Sequence, residues 1–197
     1  MSRKILKASV LGLGLLAGAV STVTANIQAA DIDPNNITDV HDTKATIDLS
    51  AGNLSLNSVP TIVFNSGTAG LANTLTAKTA GDLEVSNPGN EAGWSVTLDA
   101  SAFVDSSKAV LLKGPVFHFP AGVVTEDSGG DVTMPTSHEV TDLMGMGAIE
   151  VLSAGSGEGL GTFTTKYNLD DITLKIPSGN VSGEYKSTLN WTLTDAP

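Results

Sequence analysis

The sequence predicts an all-β protein: a β-sandwich or partly closed barrel, Ig-like in general character, with long Gly- and Asp-rich loops. Three observations carry this. Short runs rich in Thr, Val and Ser recur along the chain, separated by Gly, Asn, Pro and Ser turns. In the strongest runs large apolar residues alternate with polar ones, which puts them on one face of a strand. No stretch holds an apolar period of helix length. Only "HEVTDLMGMGA" (138–148) has room for one or two helical turns, and its glycines argue against more.

Residues 1–30 read as a secretory signal peptide. Arg3, Lys4 and Lys7 form a basic head, "ASVLGLGLLAGAVSTV" supplies a short apolar core, and cleavage is expected after Ala25, Ala29 or Ala30. The apolar run is too short and too often broken by small residues for a membrane span. Residues 31–44 read as a polar, Asp-rich linker or arm, and 45–197 as a single all-β domain. No internal repeat, sorting signal or second apolar run is present, so no covalent or membrane anchor is expected.

Within 45–197 the expected strands run in order. "KATIDLS", "LSLNS" and "TIVFN" come first, with Pro60 between the last two. "LEVSN" and "WSVTLDAS" follow, joined by the turn "PGNEAG". "GPVFHFPAG", "IEVLSAG", "GTFTTKYNL", "ITLKIPSG" and "GEYKSTLNWTLTD" complete the set. Trp94, Val96 and Leu98 alternate with Ser95, Thr97 and Asp99. Ile172, Leu174 and Ile176 repeat the pattern. In the last run Tyr185, Leu189, Trp191 and Leu193 all fall on odd positions and are expected to share one face, on a strand that is central or well covered. "TEDSGGD" and "SAGSGEGLG" read as long mobile loops.

Charge and composition narrow the function. The chain carries 21 Asp and Glu against 10 Lys and Arg, for a net charge of −11. Removing the signal leaves seven lysines, no arginine and a net charge of −14. Such a protein is a poor partner for nucleic acid or an anionic membrane. With no cysteine, stability must come from burial and strand pairing, and thiol or zinc–thiolate chemistry is excluded.

Candidate chemistry is sparse. Asp31, Asp33, Asn35, Asp39 and Asp42 match much of a calcium-loop spacing, but Asn36 stands where the turn glycine belongs and no helices flank the run. A solvated linker is the simpler reading, and no cofactor is expected. Asp127-Ser128-Gly129-Gly130 echoes a serine-protease tetrapeptide without its supporting context, and no Gly-x-Ser-x-Gly elbow exists. His118 falls opposite Phe117 and Phe119, toward solvent. Asp170-Asp171 reads as a turn before a strand. Glu126, Asp127, Asp131, His138 and Glu139 read as loop acidity rather than a cation site. No enzyme is expected.

The spaced positions Tyr185, Leu189, Trp191, Leu193 and Pro197 resemble the distal motif of the WxL domain family of Gram-positive surface proteins. "LEVSNPGNEAGWSVTL" is similar to its proximal motif, with Gly93-Trp94 opening a strand and Val96 where the family pattern has leucine. "LSLNSVPTIVFNSG" resembles the family's N-terminal segment. The resemblance implies an exported protein held non-covalently on the cell wall through peptidoglycan, with other WxL or WxL-interacting surface proteins as partners. A rival reading is an interaction protein that docks onto such a neighbour without binding glycan. The tryptophans have two readings as well: indole faces for sugar rings, or plugs in a sandwich core, which the alternation favours.

Overall fold

The computed structural model describes residues 43–127 and 129–195. The chain divides into two units, Met1–Ile47 and Asp48–Pro197; of the first only residues 43–47 are described, and they carry no regular element. The second unit is all-β, with no helix among its described residues. Its strands begin with β1 (Ser55–Ser58), β2 (Val63–Phe64), β3 (Asn73–Thr79), β4 (Leu83–Asn87) and β5 (Trp94–Ala100). β6 (Val104–Asp105) and β7 (Val110–Leu111) form a small hairpin, followed by β8 (Val116–His118), β9 (Val123–Glu126) and β10 (Thr136–Ser137). β11 (Ile149–Ala154), β12 (Gly161–Lys166), β13 (Thr173–Ile176) and β14 (Leu189–Asp195) close the chain.

Among the described residues three antiparallel four-stranded sheets form, ordered β1-β4-β12-β9, β10-β11-β5-β14 and β2-β3-β13-β8. They pack together around one core without closing into a barrel. The alternation explains the packing. β4 and β5 bury every second residue completely, and Leu83 and Val85 meet Trp94, Val96 and Leu98 in one core. Phe163 of β12, Val151 and Leu152 of β11, and Phe117 and Leu174 of the third sheet extend it. Burying side chains of this size contributes roughly 1.5–3 kcal/mol each.

Several expectations are corrected. Residues 44–50 form no strand, and Ile47 and Leu49 are 83% and 88% exposed. An alternating run becomes a strand only when a neighbour supplies its ladder, and no described residue pairs with this one. The strand expected over 183–195 begins only at Leu189, and it lies at a sheet edge rather than at the centre. Its sole ladder partner among the described residues is β5, so its apolar face is half-buried. "HEVTDLMGMGA" makes no helical turn; Val140 bridges to Phe119 and Leu143 sinks into the core. β3, seven residues long, and the short β6, β7, β9 and β10 are strands beyond those expected. Thr125 and Glu126, read as loop, lie in β9.

Candidate functional site

The two tryptophan motifs lie side by side on β5 and β14, paired antiparallel over seven residues without a register shift. Val96 stands opposite Leu193, Leu98 opposite Trp191, and Trp94 opposite Asp195. Directly opposed residues share a face, so both motifs project from the same side of one sheet.

Their surroundings differ. Trp94 is 1% exposed, and its indole Nε1 donates to the Gly159 carbonyl at 3.1 Å. The same carbonyl accepts Asn87 Nδ2 at 3.0 Å, and Asn87, itself fully buried, also holds the turn by bonding Asn90 in both directions. Gly93 has φ +90°, and a Cβ there would sit 2.7 Å from the Ala154 carbonyl, so only glycine lets β5 start this close to β11. The stretch "SAGSGEGLG", expected to be mobile, is pinned. Gly159 N donates to Thr133 O, and Gly157 N and Ser156 Oγ donate to Glu91 O. The end of β14 joins the junction through Asn90 Nδ2, which donates to Asp195 Oδ1 at 2.5 Å.

Trp191 is half-buried. Its ring meets Phe119 edge-on, with centroids 5.8 Å apart at 72°, and Phe119 packs in turn against Tyr167 at 4.6 Å. Leu189 and Leu193 are likewise half-buried against the core.

Tyr185, expected on the same strand, precedes it, since β14 begins only at Leu189. Ser187 and Thr188 still pair with Ser101 at the end of β5, and the residues before them turn to the β6–β7 hairpin, where Val104 and Lys186 exchange two backbone hydrogen bonds. Together with Leu189, Tyr185 lines a groove of about 840 Å³. The inner part is apolar, built from Phe64, Phe103, Phe117, Leu75, Leu174 and Ile176. Phe117 makes an edge contact with Phe64 at 5.3 Å and a tilted one with Phe103 at 6.3 Å. The rim is exposed and mixed: Ser66, Thr68, Ser182, Glu184 and Lys186 stand beside the apolar Val63, Leu71 and Val181.

The groove's walls are held in place. Asn180 Nδ2 donates to the Lys113 and Pro177 carbonyls, its Oδ1 accepts Lys113 N, and its own carbonyl accepts Gly70 N. Asn73 closes the opposite wall by bonding Thr68 and Leu71. Tyr185 OH donates to the Val181 carbonyl at 3.0 Å. Lys108 Nζ, beside the buried Asp105, donates to the Ser182 carbonyl, and a Cβ on Gly183 would collide with Asp105. The Ser107 hydroxyl, bonded to Asp105 at 2.6 Å, is the main cause holding that carboxyl below its usual range.

The remaining candidates do not converge. His118 reaches the Asp171 carbonyl at 2.8 Å and Glu139 at 2.7 Å, while His138 contacts Ser153 and Glu150. Glu126 accepts from Gly129 and Gly130, and Asp127 from Thr164. Asn168 and Asp171 form the expected turn. Among the described residues no three His, Asp or Glu side chains are grouped to hold a metal ion. Asp31, Asp33, Asn35, Asp39, Asp42, Ser128 and Pro197 lie outside the described residues. No described helix is long and apolar enough to cross a membrane.

No curated protein and no solved structure matches the chain. A family does: the one described as "WxL domain surface cell wall-binding" matches residues 18–197. That match spans both tryptophan motifs and the groove, and the family is one of binding rather than catalysis. The chain belongs to the WxL family of surface, cell-wall-binding domains.

Proposed function

We propose that this protein is exported through its N-terminal signal and attaches non-covalently to the wall by binding peptidoglycan, with the groove beside Tyr185 as the binding site. The observation that carries the reading is the groove's build. Its volume of about 840 Å³ suits a small ligand, its inner part is aromatic and aliphatic, and its rim carries hydroxyls and two charged side chains. Saccharides offer the matching surfaces: an apolar CH face for an aromatic ring, and hydroxyls for polar partners. In this reading the two tryptophans support binding from a distance. Trp94 is enclosed, while Trp191 and Leu193 shape the strand that leads back to Tyr185 through Leu189.

The test uses the whole mature protein and purified walls stripped of teichoic acid. Wild-type protein should sediment with them and be released by a denaturant, without any lytic enzyme. Tyr185→Ala, with an unchanged melting temperature, should stay in the supernatant. Equal sedimentation of the two proteins would remove the groove from the reading, and failure of the wild type to sediment would remove peptidoglycan.

A second reading, docking onto a neighbouring WxL or WxL-interacting surface protein, draws support from β14. The other edge strands are two to four residues long, and β1 is further broken by a register shift. β14 alone is a seven-residue, regular edge with a single charge, Asp195. Edges of that kind accept an added strand from a partner unless blunted. Thr192→Lys, placed on its exposed side, should abolish partner capture while leaving wall sedimentation intact.

A further inference from the structure

We infer that the groove selects N-acetylated sugars, reading the acetamido group rather than the pyranose ring alone. This rests on the peptidoglycan reading and specifies the chemistry of the same site. A plain hexose carries hydroxyls around its whole circumference, so a groove that encloses one needs polar partners deep inside as well as at its mouth. Here the polar side chains within reach of the interior are already committed. Both amide groups of Asn73 and Asn180 are spent on backbone atoms of the groove's own walls.

What remains inside is apolar: the half-buried Phe64, Leu75 and Ile176, with the buried Phe103, Phe117 and Leu174. A hydroxyl pushed into that space loses its hydrogen bonds to water and gains none. A methyl group gains burial. The N-acetyl hexosamine has the required division, with a methyl for the floor, a CH face for the Tyr185 ring, and an amide N–H and C=O that reach back toward the rim. Ser66, Thr68 and Ser182 stand there with exposed hydroxyls. The walls that fix this geometry are set before any ligand arrives, since the Tyr185–Val181 bond and the Asn180 hub are internal to the protein. Little ordering cost is left for binding.

Chitotetraose and cellotetraose make the experiment direct, because the two neutral oligosaccharides differ only at C2, acetamido in one and hydroxyl in the other. Titrated into the whole mature protein and followed by methyl NMR of Leu75, Ile176 and Leu189, chitotetraose should bind and shift those methyls. Cellotetraose should bind at least about tenfold more weakly, the scale of one misplaced small group in an apolar pocket. Tyr185→Ala should weaken chitotetraose at least about tenfold. Tyr185→Phe, which keeps the ring face, should retain most of the affinity, and Val123→Thr on β9, outside the groove, should retain all of it. Equal binding of the two sugars overturns the inference, as does chitotetraose binding that leaves the groove methyls unshifted. A protein that sediments with walls yet ignores chitotetraose overturns it while sparing the peptidoglycan reading. One that binds neither removes both.

Discussion

The Trp94 indole N–H and the Gly159 carbonyl lie 3.1 Å apart, and the glycine's own geometry makes that bond possible. Gly159 has φ +59°, and a Cβ there would stand 2.6 Å from Ala154 Cβ and 2.9 Å from Trp94 Nε1. The proximal tryptophan is thus a clamp on the 155–159 loop. Gly159→Ala combines left-handed strain with a steric clash, and is expected to destabilise the domain by about 2–4 kcal/mol. Trp94→Phe removes the donor and some volume but leaves the Asn87 bond to the same carbonyl, so about 1–3 kcal/mol is expected. Urea unfolding of both variants checks the order; a silent Gly159→Ala would show that the loop is not clamped.

The two tryptophans should differ in cost. Trp94→Ala leaves a cavity in a closed core and should lose about 3–5 kcal/mol. Trp191 is only half-buried, on an edge strand, so Trp191→Ala should lose only about 2 kcal/mol, below that range. Trp191→Phe should cost under about 1.5 kcal/mol. Equal losses for the two alanine variants would contradict the edge position of β14.

Tyr167 gives an alkaline prediction. Its hydroxyl is buried without a hydrogen-bond partner among the described residues, and burial pushes the phenol above its ordinary value of 10.0. The unfolded chain therefore releases this proton before the native state does. Below pH 10 the group leaves the pH dependence of stability unchanged, and stability falls as pH rises beyond it. Tyr167→Phe should flatten that part of the stability–pH curve, and at neutral pH should be neutral or stabilising by up to about 1 kcal/mol, because an unsatisfied group is removed. Identical alkaline slopes for the two proteins would exclude the effect.

Asp105 gives the acid counterpart. Its carboxyl, held low first by the Ser107 hydroxyl, contributes stability that is present above its ordinary value of 3.8 and lost as pH falls through its lower native value. Asp105→Asn should remove that acid dependence. It should also loosen the 182–183 wall, read as faster amide exchange there, and weaken wall binding with little change in β5 or β14.

Alternation alone made much of this protein legible. Trp94, Val96 and Leu98 in β5, and Leu83 and Val85 in β4, announce their buried faces by spacing, because a pleated strand turns every second side chain the same way. Spacing also identified Trp191 and Leu193 as face-sharing residues, and the turn "PGNEAG" marked where β5 opens. What it left open is which strand lies beside which. The run at 44–50 alternates as well as any other but finds no ladder partner, and β3 pairs despite a plain threonine-rich sequence. The site depended even more on tertiary structure. Tyr185 is in phase with Leu189 and Trp191, yet the β6–β7 hairpin, through the Val104–Lys186 bridge, ends the strand before it, and that tyrosine becomes a groove wall. Local sequence sets the direction of each side chain within a strand. Only long-range backbone pairing decides where the strand begins, whether it is central or at an edge, and which distant loops close around it.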